Sequence, residues 1–227
     1  MSQQNPPHNK PDWHNIDSVF LDMDGTLLDL HFDNHFWLHH VPQRYAEKHD
    51  LSKQEATNIL LPRFKAMEGT IDWYCVDYWS QQLDMDIALL KEEIKHLIQV
   101  HPFVVEFLQQ LKAAGKQRVL VTNAHQKSLA LKMKQTPLSG LLDTIISAHQ
   151  LGIPKEAPDF WQQLSKIYDY NPQKTLLIDD NLYALASAKA HGIKHLLAIY
   201  KPDSQAGAKN VGSFQAIHSF KEIYPVC

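Results

Sequence analysis

The sequence predicts an α/β fold, a doubly wound parallel sheet with an inserted helical domain. Three observations predict it. From about residue 101 to 200, short apolar runs of β-compatible side chains alternate with helical patterns, as in a sheet covered by helices on both faces. A run of the same kind, Val19-Phe20-Leu21, stands alone near the start. Residues 31–100, between them, carry helical patterns and no convincing strand. The expected division is a core of residues 1–30 and 101–227, with residues 31–100 inserted after the first strand.

The first strand stops abruptly at Asp22-Met23-Asp24-Gly25-Thr26. An apolar run that ends at carboxylates and a glycine is how a buried parallel strand meets a site. Residues 118–121 run into Thr122-Asn123, residues 144–147 form a third strand, residues 175–178 run into Asp179-Asp180, and residues 195–200 form a fifth. Between them, residues 102–114 place Phe103, Phe107, Leu108 and Leu111 at helical spacing, with Pro102 at the start and Gly115 past the end, the usual asymmetry of helix termini. Residues 128–135, 158–168 and 181–190 (followed by Gly192) read as further helices. In the insert, Ser52-Lys53-Gln54-Glu55 is a capping box, and residues 72–83 and 86–99 read as two more helices.

The chain has 227 residues, 44% hydrophobic and 21% charged, which is ordinary globular usage. Only the Pro-containing first fifteen residues read as a loose arm. A net charge of −3 without a Lys/Arg run argues against a nucleic-acid partner. The insert is more acidic, with seven Lys/Arg against eleven Asp/Glu, and repels polynucleotides. No apolar stretch approaches the ~20 residues of a membrane span, and no secretory h-region is visible. Two cysteines, Cys75 and Cys227, fit a reducing, cytoplasmic compartment and no disulfide framework.

In such sheets ligands bind at the carboxyl ends of the strands, where Asp22, Asp24, Thr122, Asn123, Asp179 and Asp180 stand. Asp22 and Asp24, two apart on extended backbone, share a side. Paired carboxylates can divide the work of nucleophile and general acid–base, and with a third they make a hard-oxygen Mg²⁺ site. The same residues also fit a surface turn. Asp180 or Asn181 equally suits a helix cap. Thr122-Asn123 offers donors for phosphoryl oxygens or a turn. Lys155, in Gly152-Ile153-Pro154-Lys155-Glu156, is either a fixed ammonium that offsets developing charge or a solvated surface lysine.

These four segments, in this order, resemble the four motifs of the haloacid dehalogenase-like hydrolases: Asp22 to Thr26 the first, Thr122 the second, Lys155 the third, Asp179-Asp180 the fourth. A closer resemblance, covering nearly the whole chain, is to the bacterial purine-nucleotide 5′-nucleotidases that act on GMP and IMP. It is carried by Leu27-Leu28-Asp29-Leu30, Phe32-Asp33-Asn34, Phe36-Trp37, Asp72-Trp73-Tyr74-Cys75-Val76-Asp77-Tyr78-Trp79-Ser80, Gly115-Lys116-Gln117-Arg118-Val119-Leu120, Thr122-Asn123-Ala124-His125 and Pro154-Lys155-Glu156. The resemblance implies a Rossmann-like core with a helical cap, and Mg²⁺-dependent hydrolysis of a small nucleoside monophosphate. It implies Asp22 as the nucleophile that forms an aspartyl-phosphate and Asp24 as general acid and base. Mg²⁺ would be held by Asp22, the Asp24 carbonyl, Asp180 and, directly or through water, Asp179. Thr122, Asn123 and Lys155 would hold the phosphoryl oxygens. A sugar-phosphate phosphatase or a phosphomutase are the alternatives on the same fold.

The insert is expected to choose the substrate. Trp37, Trp73, Tyr74, Tyr78 and Trp79 suit either stacking on a purine or packing of the insert's own core. Asp77 suits a guanine edge, or a cap or solvated position. His31, His35 and His39 share one helix face; imidazoles so spaced can bind zinc, or simply occupy the surface. Cys75, among aromatics, reads as core.

Overall fold

Six parallel strands form one sheet in the order β3-β2-β1-β4-β5-β6: β1 (Ser18–Leu21), β2 (Gln117–Thr122), β3 (Thr144–Ser147), β4 (Thr175–Ile178), β5 (His195–Ile199) and β6 (Ala216–Ile217). The structure, a computed structural model, describes residues 10–225. The order runs outward from β1 to β3, then returns to the other side of β1. This makes the neighbourhood of β1, β2 and β4 the switch point at which open α/β sheets bind ligands. Leu21 stands opposite both Leu120 and Ile178, so Asp22, Thr122 and Asp179 emerge at one edge.

Side chains alternate across the sheet with a period of two. Val19, Leu21, Leu120 and Ile178 enter one buried cluster, and Phe20, Val119, Val121 and Leu177 enter the other. All four residues of β1 are buried, which is why the run Val19-Phe20-Leu21 is apolar rather than alternating.

After β1 the chain is helical as far as β2. α1 (His31–His35) passes through a π-helical turn (Phe36–His40) into α2 (Val41–His49), followed by α3 (Lys53–Met67), α4 (Val76–Leu83), α5 (Ile87–Glu93) and α6 (Val104–Ala113). The capping box stands: the Ser52 hydroxyl accepts from the Glu55 N–H, and the Glu55 carboxylate from the Ser52 N–H. Phe32, Phe36, Leu60, Phe64 and Trp79 share the first cluster with Val19 and Leu21, so the insert packs on that side. α7 (Gln126–Gln135), α8 (Phe160–Ile167) and α9 (Leu182–His191) follow β2, β3 and β4. Phe160, Trp161, Leu164, Leu185 and Ala188 cover the second face.

Several local expectations are corrected. Pro102 lies outside α6, because Phe103 adopts a left-handed conformation (φ 68°) before the helix starts. α7 opens two residues early, where the His125 imidazole accepts from the Lys127 N–H. Residues 72–83 are not one helix: a 3₁₀ turn (Ile71–Tyr74) is closed by extended Cys75 before α4 begins. Residues 86–99 stop being α-helical after Glu93. The expected arm is partly docked: Trp13 is buried against Phe107, and Lys116 Nζ donates to the carbonyls of Trp13 and Ile16 (2.7 and 2.6 Å). Residues 1–9, the rest of that arm, and Cys227 lie outside the described residues. Among the described residues no helix is long and apolar enough to cross a membrane.

Candidate active site

The turn after β1 is tied to the end of β4. The Asp22 N–H donates to the Ile178 carbonyl (3.0 Å), and the Asp180 N–H to the Thr26 hydroxyl (3.1 Å). Gly25 is required twice over. Its φ of +86° is one that L side chains resist, and a Cβ there would stand 2.8 Å from Asp180 Cγ. The glycine thus lets two acidic strand ends approach each other. The carboxylate oxygens of Asp22, Asp179 and Asp180 lie within 4.8 Å of one another.

Lys155 is fully buried at their centre, donating to Asp22 Oδ1 (2.5 Å) and Asp179 Oδ2 (2.7 Å). Its loop is fixed from behind. The Lys155 N–H donates to Asn123 Oδ1 (2.9 Å), and Asn123 Nδ2 donates to Glu156 Oε2 (2.8 Å). Glu156 Oε1 accepts from Asn181 Nδ2 (2.7 Å) and from the Tyr74 hydroxyl (2.5 Å) of the insert. Asn123 therefore reaches the site, but both ends of its amide are engaged in holding the Lys155 loop. Buried Thr122 accepts from the Ala124 N–H (3.0 Å).

Burial dominates the electrostatics. It pushes Asp22 and Asp179 up to about 6 against the pull of Lys155, and Asp180 up to about 6 with Asp22 adding to it. Burial would pull Lys155 down, but the Asp179 and Asp22 carboxylates hold it above its usual range. Lys209 donates to both the carbonyl and the carboxylate of Asp180. Two ammoniums against three clustered carboxylates leave a deficit of positive charge, and the ligand set is hard oxygen, so the residues fit a divalent cation such as Mg²⁺.

A second charged chain was not legible in the sequence. Lys132 Nζ donates to Asp24 Oδ1 (2.7 Å) and Asp33 Oδ2 (2.6 Å), and Lys91 Nζ to Asp33 Oδ1 (2.8 Å). Both lysines are buried, and Lys91 rests 4.3 Å over the Phe36 ring. Burial pushes Asp24 up to about 6, opposed by Lys132. Burial also pushes Asp33 up, but Lys132 and Lys91 overcome it and hold Asp33 well below the carboxylate range. The available signal was the place of Lys132 on the buried face of α7 beside Ser128 and Leu129.

Above these groups is a cavity of about 980 Å³, walled by Asp22, Asp24, Thr122, Asn123, Lys155, Asp179 and Asp180 on one side and by Trp37, Phe64, Trp73 and Tyr74 on the other. Trp37 and Trp73 stack with centroids 6.2 Å apart and also pack on Phe64 and Trp79, so they serve the insert's core and line the cavity at once. Trp79 is buried core, with Tyr78 edge-on against it. Asp77 is not in the cavity wall; its half-exposed carboxylate pairs with Lys127 (2.6 Å). His31, His35 and His39 do line one face, with ring centroids 5.8 and 5.4 Å apart, but join no metal-ligating group among the described residues.

The sequence profile of the haloacid dehalogenase-like hydrolases matches residues 16–192, so the chain belongs to that family and is a hydrolase of the phosphatase kind. It is 38% identical to the GMP/IMP nucleotidase YrfG of Escherichia coli over 213 residues, 94% of this chain and 96% of that protein. It is 22% identical to the pyrophosphatase PpaX of Bacillus mycoides over 200 residues, 83% and 91% of the two chains. The crystal structure of a HAD phosphatase from Thermococcus onnurineus superposes with a TM-score of 0.75 over 91% of this chain and 95% of that one, at 23% identity, and shares the fold.

Proposed function

We propose that the protein is a Mg²⁺-dependent 5′-nucleotidase that removes phosphate from purine nucleoside monophosphates, GMP and IMP above others. The observation that carries this reading is the cavity itself: paired Asp22 and Asp24 beneath one wall, stacked Trp37 and Trp73 in the other. The similarity to the GMP/IMP nucleotidase supports the same substrate class. Residues 31–100 act as the cap that supplies the base-binding wall, by stacking worth ~1–3 kcal/mol per base in nucleic-acid complexes.

Asp22, which accepts from Lys155 at 2.5 Å, attacks phosphorus in its ionised form. The Asp22 oxygen–phosphorus bond forms as the bond to the ribose 5′-oxygen breaks, and protonated Asp24 gives that oxygen its proton. Ionised Asp24 then takes a proton from water, whose oxygen attacks phosphorus and frees Asp22 and phosphate. A carboxyl group that ionises near 6 serves both halves of the cycle near neutral pH. Thr122 and Lys155 receive the phosphoryl oxygens, and Asn123 holds the Lys155 loop. Asp22, Asp179, Asp180 and the Asp24 carbonyl would hold Mg²⁺, which when bound offsets the charge of the phosphate against the carboxylates.

The test is phosphate release from GMP, IMP, AMP, pyrimidine nucleotides and sugar phosphates, with Mg²⁺ and with EDTA, for the wild type and Asp22→Asn. Release from GMP and IMP above the rest, abolished by EDTA and by Asp22→Asn, is expected. Preference for sugar phosphates would overturn the purine assignment, and release undiminished in Asp22→Asn would overturn the nucleophile.

A further inference from the structure

Away from the carboxylate centre, one other set of metal-ligating side chains meets among the described residues. Cys75, His125 and His149 each offer a ligand atom, and these lie within 4.8 Å of one another. They come from separate parts of the fold. Cys75 joins the 3₁₀ turn of the insert to α4, His125 caps α7 just past β2, and His149 lies in a 3₁₀ turn (Ala148–Gln150) just past β3. The two imidazoles meet edge-on at 4.9 Å. Cys75 Sγ accepts from the Tyr78 N–H (3.4 Å, an ordinary length for sulfur), and His125 Nδ1 accepts a long bond (3.4 Å) from the Lys127 N–H. His149 Nε2 is buried and makes no hydrogen bond, although the imidazole of this half-buried residue lies against the backbone of Asn123 and Tyr74. A buried nitrogen without a partner is costly and calls for an explanation.

We propose that Cys75, His125 and His149 bind a thiophilic divalent cation, with zinc as the reference ion, and that this cation fastens the insert to the sheet. One thiolate with two imidazoles is a ligand set that zinc favours. It is chemically distinct from the oxygen set of Asp22, Asp179 and Asp180, so the two sites select different ions. The fourth position falls to water. The Asp77 carboxylate, 3.7 Å from His125 Nε2, adds negative charge beside the cation. Binding replaces the thiol proton by a sulfur–metal bond, so about one proton leaves per ion bound.

The placement gives the site a consequence. Cys75 follows Tyr74 directly, and both Tyr74 and His125 line the cavity that Asp22 and Trp73 line. A cation bridging Cys75 to the two histidines ties the cavity's two walls together, and so slows exchange of whatever the cavity binds. That consequence rests on the proposed function; the binding does not.

The experiment is a titration of the intact protein in excess Mg²⁺, which occupies the carboxylate centre. Zinc is measured by competition with a chromogenic chelator and cobalt by absorption, for wild type, Cys75→Ser and His149→Gln. One ion per chain is expected, with about one proton released and a sulfur-to-cobalt charge-transfer band. Losing even an outer-sphere partner of a metal ligand costs about 10–100-fold in affinity, so each variant should lose at least about 100-fold. Cys75→Ser should also abolish the band. If Cys75→Ser does not fold, His149→Gln decides the affinity. No zinc bound in excess Mg²⁺, a cobalt spectrum without the sulfur band, or affinity unchanged in the variants would each overturn the proposal. Failure to hydrolyse any ester would overturn the nucleotidase reading and leave this titration just as decisive.

Discussion

Replacing Lys132 by methionine should damage the second half of the reaction more than the first. Methionine is similar in reach but carries no charge. Asp33 keeps its bond to Lys91 at 2.8 Å, whereas Asp24 loses the one ammonium bonded to its carboxylate, at 2.7 Å. Burial already pushes Asp24 up to about 6. An opposite charge in contact lowers a carboxylate by roughly 1–3 pH units, so without Lys132 Asp24 should ionise near about 7–9. At pH 7 the ionised fraction falls from about nine-tenths to between about one-half and one-hundredth. On the proposed mechanism the first step uses protonated Asp24 and is spared, while the second uses ionised Asp24, so aspartyl-phosphate breakdown should slow by roughly 2- to 100-fold.

Rapid-quench measurement tests this: nucleoside should appear in a burst ahead of phosphate, and the acidic limb of kcat against pH should move upward. Breaking a buried pair costs about 3–5 kcal/mol, so Tm should drop by roughly 6–20 °C in a chain of this size. A variant with the wild-type pH profile and no burst would refute the claim that Lys132 tunes Asp24, whatever its stability.

Other outcomes follow from the same geometry. Gly25→Ala must relieve a 2.8 Å contact with Asp180 at a φ of +86°; it should cost about 1–3 kcal/mol of stability and weaken Mg²⁺ activation measured by titrating phosphate release. Trp73→Ala should raise KM for GMP roughly 10- to 100-fold with little change in KM for a small phosphate ester lacking a base; equal losses on both would point to damaged packing instead. The stabilising effect of Mg²⁺ should grow with pH. Asp22, Asp179 and Asp180 are raised from 3.8 to about 6. In the metal-free chain their contribution to stability is therefore full below about 4 and lost as pH rises through about 6. On the proposed reading Mg²⁺ binds the ionised forms, so the rise in Tm on adding it should be larger at pH 7.5 than at pH 5, as read by thermal melts at the two values.

What the sequence made legible is what depends on local pattern. Strands β1, β2 and β4 are apolar runs ended by polar residues, because a parallel strand buried on both faces has no alternation to hide it and its carboxyl end is where polarity returns. For the same reason the sheet's ligand edge could be assembled on paper from Asp22, Thr122 and Asp179. What was not legible is pairing at long range. Lys132 meets Asp24 across 108 positions and Lys155 meets Asp22 across 133; only the second falls in a recognised motif. In a bare sequence a lysine on a helix reads as solvated, and its place beside Ser128 and Leu129 on α7 signals a buried face without saying that the insert will lie over it. The insert's docking buries Lys91 and Lys132 together around Asp33. It also turns the expected stretch of residues 72–83 into a turn, an extended Cys75 and a helix, which faces Trp73 to the cavity and Asp77 to Lys127. On the proposed reading the core motifs set the chemistry through contacts within the sheet's own edge, whereas specificity, and the burial of the Lys132 that bonds Asp24, depend on how a separate helical layer lands on that edge, which a pattern of residues does not encode locally.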